Sequence, residues 1–240
     1  MNELSVPLWA YLSQTPLLWL TVTLVAYVAA DRISLASRRN PLCNPVLIAV
    51  AVIALVLWGT GTSYPVYFEG AKFVHFLLGP ATVALAIPLY ENRRIVLRSI
   101  APMVLALVVG SVTAIVSAVA IAKLFGVPNT VLVSLAPKSV TAPVGMGITE
   151  MLGGDPALTA ILVILTGVIG AITVTPLMNA LRMKDWRARG FAVGLASHGI
   201  GTARAFQVNS LAGTFAGIAM GLNALVTALL LPMVLGLLLE

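Results

Sequence analysis

The sequence predicts an all-α polytopic membrane protein with about seven or eight transmembrane segments, two of them broken or re-entrant, and a possible inverted repeat. Three observations carry that prediction. Of the 240 residues, 60% are hydrophobic and 9% charged, against roughly 25% charged in soluble domains, and the mean hydropathy is +1.03. The apolar residues fall in runs close to the ~20 residues a helix needs to cross ~30 Å of hydrocarbon. Most Lys and Arg residues sit in three short clusters between those runs, as cytoplasmic loops do. The net charge of +6 is thereby explained without nucleic acid. A single cysteine, Cys43, and two distant histidines, His75 and His198, give no disulfide and no metal cluster, so neither metal nor cofactor is expected.

Residues 1–13 lack a basic region ahead of the first apolar run, so the N-terminus reads as a retained anchor and not a cleaved signal. Trp9 and Tyr11 suit an interfacial piece. Span one is expected over 16–33, followed by a cytoplasmic loop with Arg32, Arg38 and Arg39. Span two, 41–60, then runs outward to an aromatic belt of Trp58, Tyr64 and Tyr67. Span three, 71–90, returns inward; it carries Pro80 and Pro88, and Thr82 is placed to satisfy a freed carbonyl. Glu91, Arg93, Arg94 and Arg98 form the second cytoplasmic loop, and span four, 99–124, goes outward.

Arg182, Lys184, Arg187 and Arg189 make the third basic cluster. If it too is cytoplasmic, span six, 156–181, starts outside, and residues 128–154 make no net crossing. A segment dipping in and back is then expected, with a crossing broken helix as the alternative. Residues 189–208 are either a discontinuous crossing or a second re-entrant segment, and 211–239 is the last span, with Gly213, Gly217 and Gly221 spaced for close helix approach. If the second broken segment crosses, spans two to four and six to eight form an inverted repeat at an offset near 113 residues. The whole chain, 1–240, is expected to form one transmembrane transporter domain.

The two broken stretches hold the candidate site. In SLAPKSVTAPVGMGITEM (134–151), Pro137 and Pro143 remove backbone donors, and Lys138, Ser139 and Thr141 fill the gap. In GLASHGIGTARAF (194–206), His198 and Arg204 stand among glycines. Irregular backbone at membrane depth is tolerated where protein buries it or it lines a cavity, and paired broken segments mark transporter sites. A central membrane cation costs about 2.5–3.5 kcal/mol on insertion scales, so it faces a partner, a cavity or an anion. Lys138 and Arg204 are therefore expected to hold a small carboxylate, Arg204 bidentate and Lys138 as a point charge. The expected substrate-binding set is Lys138, Ser139, Thr141, Pro143, Ser197, His198, Gly199, Gly201, Thr202 and Arg204, with φ > 0 or close backbone approach at Gly199 and Gly201. Catalysis is not expected: Lys138–Ser139 and Ser197–His198 are helix neighbours that do not face each other, and no elbow, zinc or P-loop motif occurs.

Four ordered stretches, GPATVALAIPLYE (79–91), LAPKSVTAPVGMGI (135–148), GGDPALTA (153–160) and ASHGIGTARA (196–205), resemble the LrgB/CidB family of antiholin-like bacterial membrane proteins, related to the plastid glycolate/glycerate translocator. The resemblance covers about 44–239. It differs where the family usually has Thr in place of Ala142 and acidic residues in place of Gln207, Asn209 and Ala212. It implies a multi-pass protein of the bacterial inner membrane and two rival functions. One is transport of small carboxylates such as glycolate, glycerate, lactate or pyruvate; the other is control of murein hydrolases and autolysis with a small LrgA/CidA-like, holin-like partner. Transport is the expected function, with the bilayer, a small anionic metabolite and a second copy in a dimer as partners.

Overall fold

The structure, a computed structural model, describes residues 15–40, 43–77, 80, 83–84 and 86–239, apart from the side chains at 75, 88, 89 and 239. Trp9, Tyr11, Thr82 and the side chains of His75 and Pro88, all named among the sequence expectations, lie outside the described residues. Regular structure among the described residues is entirely helical: α1 Pro16–Ala36, α2 Pro45–Thr60, α3 Tyr64–Phe76, α4 Ala86–Glu91, α5 Arg93–Arg98, α6 Ile100–Leu124, α7 Asn129–Leu135, α8 Ala142–Met151, α9 Pro156–Ala180, α10 Trp186–Val208 and α11 Ser210–Leu239. Of these, α1, α6, α9 and α11 are long and apolar enough to cross a membrane. The chain forms two compact units, Met1–Ala86 and Ile87–Glu240.

In the first unit, α1 packs against both α2 and α3. Trp19 is wholly buried and meets Tyr67 edge-on at 6.0 Å, while the Thr23 hydroxyl donates to the Tyr67 oxygen at 3.2 Å. Gly70 lets α3 touch the α1 backbone, since a Cβ there would lie 2.3 Å from the Pro16 carbonyl oxygen. Asn44 caps α2 by accepting from the amides of Val46 and Leu47, and Gly61 ends it at φ 64°. The third helix begins at Tyr64, not 71, because Pro65 sits in a first turn that needs no amide donor, so Tyr64 and Tyr67 of the expected belt lie on it. It ends at Phe76, within the expected span that carries Pro80 and Pro88.

The second unit is framed by α6 and α11, which run side by side in the same direction. The first halves share a buried cluster of Met103, Leu107, Phe215 and Ala219 with Phe191 and Leu195 of α10. The far halves share another, Ile115, Val119, Leu231 and Leu235, with Val133, Ala136 and Ile148 from α7, the following turn and α8. At the far ends, the Lys123 ammonium donates to the Leu238 carbonyl. Helix α9 runs the opposite way. Its start lies by α7, where the Thr159 hydroxyl donates to the Ser134 carbonyl at 3.0 Å, and its end lies by α10, where Arg189 donates to the Asn179 side-chain oxygen at 2.9 Å. The outward faces of these long helices are apolar, with Leu105, Leu229 and Leu237 between 68% and 81% exposed. Between α4 and α6, the stretch expected as the second cytoplasmic loop is not a plain loop, since α5 forms there.

Two helical hairpins insert from opposite ends of this frame. The first is α7, a turn over 136–141, and α8; its open end is tied by the Asp155 amide donating to the Ser134 hydroxyl at 2.7 Å. The second is α10 itself, which has non-helical dihedrals at Ser197 (φ −131°, ψ 16°) and His198 (φ 42°, ψ −136°) and folds back there. Residues far apart in a straight helix consequently touch: a Cβ on Gly201 would lie 2.9 Å from the Val193 carbonyl oxygen, and Val193 and Ala205 share a buried cluster with Ala212 and Ala216. Gly190 and Gly194 allow this packing, for a Cβ on either would lie 2.0 Å from the carbonyl oxygen of Ala212 or Ala216. The intimate face of α11 is thus its alanine row. Its glycines at 213 and 221 meet Phe206 and open space respectively.

Candidate functional site at the hairpin tips

The two tips meet midway along α11, at Asn223. Its side-chain nitrogen donates to the Ser139 carbonyl of the first tip at 3.3 Å and to the Leu195 carbonyl of the second at 3.1 Å. Its oxygen accepts from the Ser111 hydroxyl of α6 at 2.7 Å and from Thr227 at 3.3 Å. The two carbonyls can only accept, which fixes the orientation of the amide. Asn223, Ser111 and Thr227 are all buried. Asn223 therefore holds α6, α11 and both tips in one hydrogen-bonded junction.

The second tip is seated on α9. The His198 ring nitrogen Nε2 lies 2.9 Å from the Val163 carbonyl, and because a carbonyl only accepts, Nε2 carries the hydrogen. Two glycines make room for it: a Cβ on Gly167 would lie 2.6 Å from the His198 ring, and one on Gly170 only 1.6 Å from the Ser197 oxygen. Thr202 closes the tip by donating to the His198 carbonyl at 2.8 Å. The positive φ expected at Gly199 or Gly201 is found at His198 instead. A residue with a side chain rarely adopts φ > 0, and here the ring's hydrogen bond to α9 holds it. Gly201 is a packing glycine, whereas Gly199 is open, with only Met220 within 4 Å of its Cβ position.

At the first tip, Pro137 and Ser139 are buried and Lys138 and Thr141 half-buried. The Lys138 ammonium donates to the Ser139 hydroxyl at 3.4 Å. Thr141 precedes α8 without capping it through its side chain, and Pro143 is exposed. Arg204 lies elsewhere: six residues past the reversal, about 9 Å along a helix, it lines a small crevice with Trp186, Arg189 and Gly190, and its guanidinium is 3.5 Å from the Gln207 oxygen. Arg189 in the same crevice stacks on Trp186 at 4.7 Å. Outside the long helices, Asp185 is held below the usual carboxylate range, chiefly by its hydrogen bond with Arg187.

These features define the class: a helical membrane protein built around two opposed hairpins. The chain belongs to the LrgB-like family, which matches residues 23–237. It is 34% identical to the holin-like protein CidB of Staphylococcus epidermidis over 215 residues, 90% of this chain and 93% of that one. Against the holin-like protein CidB of Staphylococcus aureus the identity is 34% over 216 residues, 90% and 94% of the two chains. The Bacillus subtilis protein YwbG, itself uncharacterized, is 35% identical over 218 residues, 90% and 96% of the two. No solved structure matches.

Proposed function

We propose that this chain is a holin-like membrane protein whose working part is the pair of opposed hairpins. The relatives' names support that class, and of the two functions expected from the sequence they favour the holin-like one over carboxylate transport. In this reading the end bearing Arg98, Arg187 and Arg189 faces the cytoplasm, the first hairpin enters from outside, the second from the cytoplasm, and α6, α9 and α11 cross. The two hairpins stand in corresponding places: the offset from Asn129 to Trp186 and from Met151 to Val208 is 57 residues in both cases. An inverted pair of hairpin and helix is an arrangement that transporters use, and it replaces the 113-residue repeat, which requires α10 to run straight through.

Control of murein hydrolases together with a small holin-like partner is the reading closest to the names. One observation favours a solute path as well: the meeting of both tips at Asn223, with the Lys138 ammonium beside the junction and, among the described residues, hydrogen-bonded at 3.4 Å to its neighbour Ser139. A cation so placed suits a small carboxylate, with Ser139 and Thr141 as hydroxyl partners and the amides at the start of α8 adding positive potential. Arg204 then acts at the cytoplasmic approach and not in the same clasp. Uptake of a 2-hydroxy- and 2-oxo-acid panel by proteoliposomes tests this. A charge-assisted hydrogen bond is worth about 1.5–3 kcal/mol, so Lys138→Gln raises half-saturation for acids about ten- to a hundredfold and leaves a neutral analogue unchanged. Absence of saturable uptake by folded protein, with autolysis still altered when the chain and a small holin-like protein are expressed together, would leave the regulatory reading alone.

A further inference from the structure

A second hollow of about 540 Å³ lies between α6 and α10, and Lys138 is not among its lining residues. Its volume falls within the ~300–1,000 Å³ of ligand pockets. Small residues create it. Ala106 and Gly110 on α6 face Ala188 and Ala192 on α10, so two helices clamped at both ends leave space in the middle. The mouth is charged: Arg98, Arg187 and Asp185 surround it, with Asp185 already paired to Arg187 at 2.6 Å and Arg187 reaching the Ser99 hydroxyl at 3.5 Å. One positive charge is left over. The deeper walls, Met103, Phe191, Leu195 and Phe215, are apolar. The floor closes where a Cβ on Gly110 would come within 2.9 Å of Leu195, next to the carbonyl that Asn223 holds.

We infer that this groove binds an anionic glycerophospholipid, its phosphate at Arg98 and Arg187 and one acyl chain lying along α6 to Leu195. The depth fits: from its start at Ile100 to Gly110, α6 rises about 15 Å, equal to the ~15 Å of hydrocarbon in one leaflet. The charge selects the occupant. A partner's membrane helix carries its own Lys and Arg at a cytoplasmic end and would be repelled by the arginines here, whereas anionic lipid is drawn to basic residues at that surface. The acyl terminus then abuts the second hairpin tip, so the lipid props the segment that carries Leu195. This inference needs the basic end to be cytoplasmic but does not depend on what the tips transport.

The test uses the full chain in detergent with a phosphatidylglycerol probe bearing a photoreactive group near its acyl terminus. Adducts are expected on residues 103–110 and 191–195, competed by plain phosphatidylglycerol at least tenfold better than by phosphatidylcholine. Arg98→Gln with Arg187→Gln should bring that preference down to about parity. Ala106→Phe, which fills an exposed position and not the core, should abolish the adducts with thermal unfolding unchanged; if it does not fold, the charge pair still decides. Adducts scattered over the outer faces of α6 and α11, or equal competition by phosphatidylcholine, would mean ordinary surrounding lipid and overturn the proposal. So would disulfide dimers of Ala106→Cys in a Cys43→Ser background that form in saturating lipid, because a second copy would then own the groove.

Discussion

Asn223 is the side chain whose removal should be felt most widely. Asn223→Leu leaves the Ser139 and Leu195 carbonyls and the Ser111 hydroxyl without their partner in the interior, at about 1–3 kcal/mol for each buried group left bare. A clearly lower unfolding temperature in detergent is expected. Asn223→Asp keeps the acceptor for Ser111 and Thr227 but turns a carboxylate oxygen toward the two tip carbonyls in the interior, so it should lose solute uptake and cost at least as much stability as leucine. Leucine at 223 with unchanged unfolding and uptake would remove the junction from consideration. Asn223 was passed over among the expected site residues, although a lone asparagine in the apolar run GLNALVTALLL is a signal for interhelical hydrogen bonding. Its partners were not legible, because they are backbone carbonyls 84 and 28 residues away, and a carbonyl carries no sequence signature. Lys138 was legible for the opposite reason, since charge in an apolar run announces itself. Arg204 announced itself equally, and only the fold shows that it sits with Trp186 and Arg189.

The second hairpin depends on the fit between its tip and α9. Gly170→Ala would place a methyl group 1.6 Å from the Ser197 oxygen, so folded yield should fall; adding Ser197→Gly removes the obstruction and should restore it. Failure of the pair to rescue would mean that Gly170 matters for another reason. The glycines within the tip should behave unequally. Gly201→Val meets Ser197 and the Val193 backbone and should cost folded protein, whereas Gly199→Val meets little and should be tolerated. Loss of folded protein from both would contradict the tip geometry. That the helices break at 136–141 and near 198 was readable from Pro, Gly and polar residues in apolar runs. Where the chain turns was not, because a histidine took the positive φ and α9, not local propensity, stabilised it. In the first unit the start of α3 was misplaced because the span was read from the apolar run that begins after Glu69 and Gly70, while Pro65 sits in the first turn of the helix.

At the scale of the molecule, residues 87–240 form a frame of three long helices with a hairpin entering from either end, and that arrangement follows from contacts between segments distant in sequence. The expectation that 128–154 makes no net crossing rested on charge placement, with all three basic clusters assigned to the cytoplasmic side. The measurement that bears most directly on it is sidedness at the two open ends. Glu150 and Gln207 are both exposed, one at the end of the first hairpin and one at the end of the second. In a Cys43→Ser background, Glu150→Cys should react with an impermeant thiol reagent added outside intact cells, and Gln207→Cys should react only after the cytoplasmic face is opened. Labelling of both positions from the same side would contradict opposed hairpins, and with them the solute path proposed at Asn223.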